Sequence, residues 1–367
     1  MIKYLEISGF KSIKEAKTEL KPLNILIGSN GSGKSNFISF FKLLNAIANR
    51  ELQRFLNVED VDKLLYFGRK TTAELYGKVI FSENGKHNNA YYFYLAQNNT
   101  GGLFIEMEGS GYNISYDDDC WNYFTVNNIE ESTISLENSY RDKFLTKFLT
   151  SFRVFHFHDT SSTSLLRKEC DISDNIYLKP DGRNLPAMLY LLKSNHPVIY
   201  DRIEKTVQSV APYISKFILE PNALNSSKIE LRWIDKGDSE SNFSVYQLSD
   251  GTLRFIALAV LLMQPHPPAV VIIDEPELGL HPFAIGKLAG MMQSASNKAQ
   301  IIAATQSPGL ISNFSPEDAI VIDKSENENQ TVFQRLTTDT LEKWLENYTL
   351  GDLWERNIIN AAQPFVK

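Results

Sequence analysis

Gly28-Ser29-Asn30-Gly31-Ser32-Gly33-Lys34-Ser35 fits the pattern GxxxxGK[ST], and its flanks supply the context in which that pattern carries chemistry. Before it, Leu23–Ile27 is a short apolar run of strand length, and after it Phe37, Phe40, Phe41, Leu43, Leu44 and Ile47 recur at helical spacing. Strand, glycine loop and helix therefore follow one another. Such a loop curls its backbone around a β-phosphate, and its exposed N–H groups and the following helix N-terminus attract the anion. Gly28, Asn30, Gly31, Ser32, Gly33 and Asn36 belong to this cradle; Lys34 is suited to reach the β/γ oxygens, and Ser35 offers its hydroxyl to Mg²⁺. With glycine at about 7% of residues, the four fixed positions match by chance in roughly 1% of chains this long, so the signal is specific.

Working outward, the N-terminus alternates as a strand through Ile2, Tyr4 and Ile7, turns at Gly9 and resumes. From Leu75 to about Tyr116, alternating Tyr, Phe, Ile and Val broken by Glu83-Asn84-Gly85 and by Asn98-Asn99-Thr100-Gly101-Gly102 predict antiparallel strands joined by hairpin turns. A strand is expected over 154–157 and helical spacing over 184–216. The last third alternates a helix over 251–263, a strand over 269–273, a helix over 282–296 and a strand over 300–304. The expected class is α/β, with a mainly parallel core sheet flanked by helices, an antiparallel β subdomain and a helical lobe. The expected divisions are 1–150 (the start of the core with the β insertion), 151–245 (helical, linking), 246–325 (the core completed) and 326–367 (a C-terminal extension).

Composition narrows the function classes. With 37 Lys+Arg against 44 Asp+Glu the net charge is -7, so any DNA contact must come from a local basic patch. The two cysteines, Cys120 and Cys170, show no metal-ligand spacing and no disulfide framework. The apolar windows 255–263 and 269–273 are far shorter than the roughly 20 residues that span a bilayer, and Lys3 and Glu6 stand where a signal peptide needs apolar residues. A soluble, cytoplasmic protein with no membrane role is expected.

Two further strings carry chemistry. In Val270-Val271-Ile272-Ile273-Asp274-Glu275-Pro276 an apolar strand presents two acids at its carboxyl end, where ligands sit in an open α/β sheet. Asp274 suits a Mg²⁺ shell, and Glu275 suits a base that polarises the attacking water. Read alone, they are also two solvated acids. Leu248-Ser249-Asp250-Gly251-Thr252 precedes a strongly apolar helix and reads, by itself, as a plain N-cap.

In this setting Ser249 and Gly251 resemble the LSGGQ signature of ABC-type ATPases, and Leu278-Gly279-Leu280-His281-Pro282 resembles their D-loop. Phe10-Lys11-Ser12-Ile13, 65–70, 156–161, Thr305-Gln306-Ser307-Pro308 and 350–355 are similar to the RecF/SMC/OLD-like stand-alone ATPases of bacteria and archaea. The resemblance implies ATP and Mg²⁺ as cofactors, ATP hydrolysis, and a head-to-head homodimer or higher homo-oligomer in which Ser249 caps the nucleotide of the other copy. It implies that Lys11 and Ser12 reach the nucleotide and that Arg69, with Lys70 competing, approaches the γ-phosphate. His158 takes the place of the Q-loop glutamine, or is simply structural. Gln306 stands where transporter-type members carry a switch histidine; it can orient water but cannot titrate near neutral pH, so slow turnover is expected.

The interval from Ser35 to Leu248 shows no heptad pattern for a coiled-coil arm, and the stretch after Pro282 shows no acidic cluster resembling a Toprim nuclease. Gene-pair contexts of the resembled group imply a DNA-related or phage-defence, toxin-like effector encoded separately, with double-stranded DNA kept as a candidate partner. Two other readings stay open: a nucleotide-bound regulatory scaffold with negligible turnover, and a transporter ATPase subunit, which the long Ser35–Leu248 interval, Gln306 and Asp250 disfavour.

Overall fold

The structure is a computed structural model that describes residues 1–83, 87–99, 101–112, 124–136, 139–325 and 329–359. The expected Asn84-Gly85 turn, Thr100, Cys120 and the end of the β-rich stretch at Tyr116 lie outside the described residues. The chain divides into two compact units, 1–154 with 268–272 and 299–367 forming the first, and 155–267 with 273–298 the second.

Two six-stranded sheets are built mainly from the first unit's residues. One runs in the order Ile13–Glu19, Ile2–Phe10, Glu74–Glu83, His87–Gln97, Leu103–Tyr112, Phe124–Ile129, every neighbouring pair antiparallel. It is the meander that the alternating aromatic residues predict. The other runs in the order Gln330–Arg335, Ala319–Ser325, Leu23–Ile27, Gln300–Thr305, Val270–Asp274, Arg153–Phe155. Ala319–Ser325 and Gln300–Thr305 both run parallel to Leu23–Ile27, while Gln330–Arg335 folds back antiparallel at the edge. Leu23–Ile27 is buried along its whole length, which explains a run that is apolar except for buried Asn24 in place of alternation.

Helix Lys34–Ala48 lies between these sheets in one hydrophobic core. Its Phe40 meets Phe10 and Phe93 of the antiparallel sheet with ring centroids 5.5 and 6.1 Å apart, and Phe37 meets Phe333 of the central sheet at 5.2 Å. Phe37, Phe40 and Phe41, at i, i+3 and i+4, form the face that carries these contacts, while Ser35 and Lys42 stay exposed. Buried Gln300 ties the sheets as well: its Oε1 accepts from the Ile2 amide (2.8 Å) and its Nε2 donates to the Ile2 (2.7 Å) and Lys21 (2.9 Å) carbonyls.

In the second unit, helix Asp250–Met263 is apolar nearly all round, and helices Leu185–Asn195, Pro197–Val210 and Pro282–Ala295 pack on it. The lobe expected to be helical over 151–245 is mixed instead. Past Val210 the chain forms an antiparallel sheet of Ile214–Ile218, Arg232–Asp235 and Asn242–Ser244, and another of Pro221–Asn222, Asn225–Ile229 and Cys170–Asp171. Exposed, polar strands such as Asn-Ser-Ser-Lys-Ile carry no alternating apolar signal, which is why they escape a periodicity reading. No helix among the described residues is long and apolar enough to cross a membrane.

Candidate nucleotide site

The residues singled out in the sequence divide between the units. Lys11, Ser12, the 28–36 loop, Arg69 and Gln306 lie in the first; His158, Ser249, Gly251, Asp274 and Glu275 lie in the second.

In the first unit the loop leaves Leu23–Ile27 at Gly28, where an added Cβ would collide with the Ile322 carbonyl oxygen and Ser32 Oγ. Gly33, at φ 113°, forms the entry to helix Lys34–Ala48, whose first turn has neither a capping side chain nor an acid. A helix N-terminus of that kind presents backbone N–H groups and the positive end of its dipole to an anion, so the loop fits a phosphate. Buried Lys34 curls over the loop, its Nζ donating to the Gly28 (2.6 Å) and Ser29 (2.9 Å) carbonyls. Ser35 is exposed at the start of the helix.

A residue that no local pattern marks supports this loop. Thr331, fully buried on edge strand Gln330–Arg335, shares a hydrogen bond of 2.7 Å with Ser12 Oγ and donates to the Ser32 carbonyl at 3.1 Å. Its amide donates to the Ser12 carbonyl at 2.8 Å, and an added Cβ on Gly33 would strike its hydroxyl. Asn36 Nδ2 donates to Ser12 Oγ at 2.7 Å, so Asn36 and Ser12 both belong to this brace.

The two cations implied by resemblance are held by acids. Lys11, at φ 49°, places Nζ 2.8 Å from Ser39 Oγ and 3.5 Å from Glu59. Arg69 forks onto Asp62 at 2.9 and 2.7 Å and donates to the Gly101 carbonyl at 2.9 Å; its guanidinium holds the Asp62 carboxyl down to about 2. Gln306 follows Gln300–Thr305, and its carbonyl accepts from the Trp354 indole at 3.3 Å. Trp354 is thus packed against the chain by its polar tip.

In the second unit Ser249 is the exposed N-cap of helix Asp250–Met263, with Oγ accepting from the Thr252 amide at 3.2 Å. A Cβ on Gly251 would stand 2.5 Å from the Gly279 carbonyl oxygen, so the first turn of this helix is in close contact with the loop 278–281. Two buried arginines organise the surroundings. Arg167 binds Asp250 at 2.7 Å and the Val245 carbonyl at 2.6 Å. Arg254 donates to the carbonyls of Phe157 (2.8 Å), His158 (3.0 Å) and Leu278, and its burial lowers its pKa. A lone arginine in the apolar run 253–262 was the legible sign of Arg254; Arg167 had none.

His158 Nε2 lies 2.9 Å from the Asp274 carbonyl oxygen, which joins the strand-exit turn to the acidic pair through the backbone. Asp274 and Glu275 are half-buried. Glu275 adopts φ 43°, left-handed backbone that a glutamate occupies at a cost, in keeping with a side chain held in a set direction. An acid with a neighbouring base at a strand end suits one Mg²⁺ contact and activation of one water.

The chain has the fold of SMC head domains. It resembles two solved structures: the Smc head bound to the C-winged helix domain of ScpA (16% identity, TM-score 0.61, covering 94% of this chain and 99% of that one) and the Smc head domain with an extended coiled coil bound to the C-terminal domain of ScpA derived from Pyrococcus furiosus (14% identity, TM-score 0.55, 94% and 98%). Residues 134–312, just under half of the chain, match the family described as "AAA domain, putative AbiEii toxin, Type IV TA system". That match takes in Ser249, Asp274, Glu275 and Gln306 and leaves out the glycine loop. No curated protein matches the chain.

Proposed function

We propose that the protein is an ATP-binding, slowly hydrolysing switch that pairs head to head on ATP and so controls a separately encoded, DNA-related or defence-type effector. The observation that carries this reading is the uncapped, acid-free start of helix Lys34–Ala48 behind a glycine loop that buried Lys34 overlies. Triphosphate would draw Lys34 from the Gly28 and Ser29 carbonyls toward its β/γ oxygens. Ser35 and Asp274 would hold Mg²⁺, which screens the charge of the transferred phosphoryl group. Glu275 would take the proton of the attacking water and Gln306 would orient that water. Exposed Ser249, with Gly251 behind it, would cap the γ-phosphate bound by the other copy, an anion at a helix N-terminus used in trans. Lys11 and Arg69 reach a nucleotide only by releasing Glu59 and Asp62, and Ser12 and Asn36 act through the loop they brace.

Glu275→Gln tests the switch. Hydrolysis should fall by about 10²–10⁴-fold with ATP binding retained, and light scattering should show a dimer that forms only with ATP. A monomer, or a dimer indifferent to ATP, overturns head-to-head pairing. Bound nucleotide without turnover in the unaltered protein supports the scaffold reading instead.

A further inference from the structure

Away from the nucleotide residues, the second unit carries a groove of about 780 Å³. Its walls are helices Pro197–Val210 and Pro282–Ala295, and its floor includes Leu262 and Met263 at the end of the helix that Ser249 caps, with Met291 beside them. Exposed Arg202, Lys205, Lys287 and Lys298 rim it, against a single acid, Asp201. Among the described residues none of these four cations has a carboxylate partner, an unusual concentration on a chain of net charge -7. Glycine is the poorest helix residue after proline, yet Gly286 and Gly290 stand one turn apart on the groove wall. A Cβ added to Gly290 would meet nothing within 4 Å, so the chain's own packing gives no reason for that glycine.

We infer that this groove is a docking site for an acidic amphipathic helix of a partner protein. Charge complementarity selects an acidic occupant. The apolar floor selects a protein helix over a nucleic-acid backbone, because phosphates gain nothing from leucine and methionine. The glycines let the partner's backbone approach the wall closely. Lys287 stands on the wall helix and Lys298 three residues past its end, so acids towards both ends of a bound helix would meet them. The occupant would press on the far ends of the helices that carry the signature serine and follow the loop 278–281, although the inference does not require nucleotide chemistry.

A randomised library of helix-forming peptides, selected on the intact chain and counter-selected on Gly290→Leu, tests this. Enriched peptides should share an apolar i, i+3/i+4, i+7 stripe flanked by Asp and Glu, and should bind about tenfold or more weakly to both Gly290→Leu and Lys287→Glu by fluorescence anisotropy. Both variants should melt no lower than the unaltered protein, which separates loss of the groove from loss of the fold. No enrichment, enrichment without acids, or binders indifferent to Gly290→Leu overturns the inference. So does a short DNA duplex whose binding is lost in Lys287→Glu while no peptide is enriched.

Discussion

Thr331 shows how one hydroxyl can matter to a loop it follows by almost the whole chain. Itself fully buried, it contacts Ser12 and Ser32, so Thr331→Val keeps the shape, takes this donor from the Ser32 carbonyl and leaves Ser12 Oγ with Asn36. A loss of about 1–3 kcal/mol in stability is expected, with weaker ATP binding by calorimetry, while Thr331→Ser retains both. Unaltered stability and ATP binding in Thr331→Val, with a loss in Thr331→Ser, would show that only the volume of Thr331 matters. Glu275 poses the opposite problem, since its left-handed backbone costs about 1–2 kcal/mol and glycine would remove that cost at the expense of about 0.5–1 kcal/mol in chain entropy. Glu275→Gly should therefore melt somewhat higher than Glu275→Gln although both lose turnover. The reverse order in differential scanning calorimetry would mean that the residue is not strained.

At the scale of elements, the first turn of helix Asp250–Met263 and the loop 278–281 share one contact, with Gly251 directly beneath the Gly279 carbonyl. Glycine to alanine within a helix ordinarily gains up to about 1 kcal/mol. Here the new Cβ would sit 2.5 Å from that oxygen, and overpacking of about 1–3 kcal/mol outweighs the gain, so Gly251→Ala should destabilise the protein in urea titration. The sequence displays these elements unevenly, for a physical reason. The glycine loop, the acidic pair and the string Leu248–Thr252 appear unbroken because a glycine turn, a strand end and a helix cap are each local backbone devices. Their supports are not local: Thr331 lies 299 residues from Ser32, Arg254 lies 97 from Phe157, and Arg167 lies 78 from Val245. Hydrogen bonds across such spans leave no periodicity. The small sheets after Val210 are hidden for a related reason, since a strand such as Asn225–Ile229 is exposed and polar and is defined by its pairing partners.

For the molecule as a whole, the glycine loop lies in one unit and Ser249, Asp274 and Glu275 in the other, while the proposed switch also divides each nucleotide between two copies of the chain. A symmetric pair makes that division testable, because each composite site then takes its loop from one copy and its serine from the other. Lys34→Ala should abolish the stabilisation that ATP and Mg²⁺ give the unaltered protein, about 2.7 kcal/mol at a hundred times the dissociation constant. Ser249→Ala should retain that stabilisation and lose only pairing and turnover. Neither variant should hydrolyse ATP alone. In an equimolar mixture, however, half of randomly formed pairs join one of each, and every such pair has one site with both an intact loop and an intact serine. About a quarter of the unaltered activity should return on mixing. If Ser249 instead serves the nucleotide of its own chain, no site in the mixture is whole, and an ATPase assay that stays flat as one variant is titrated into the other would rule out head-to-head pairing.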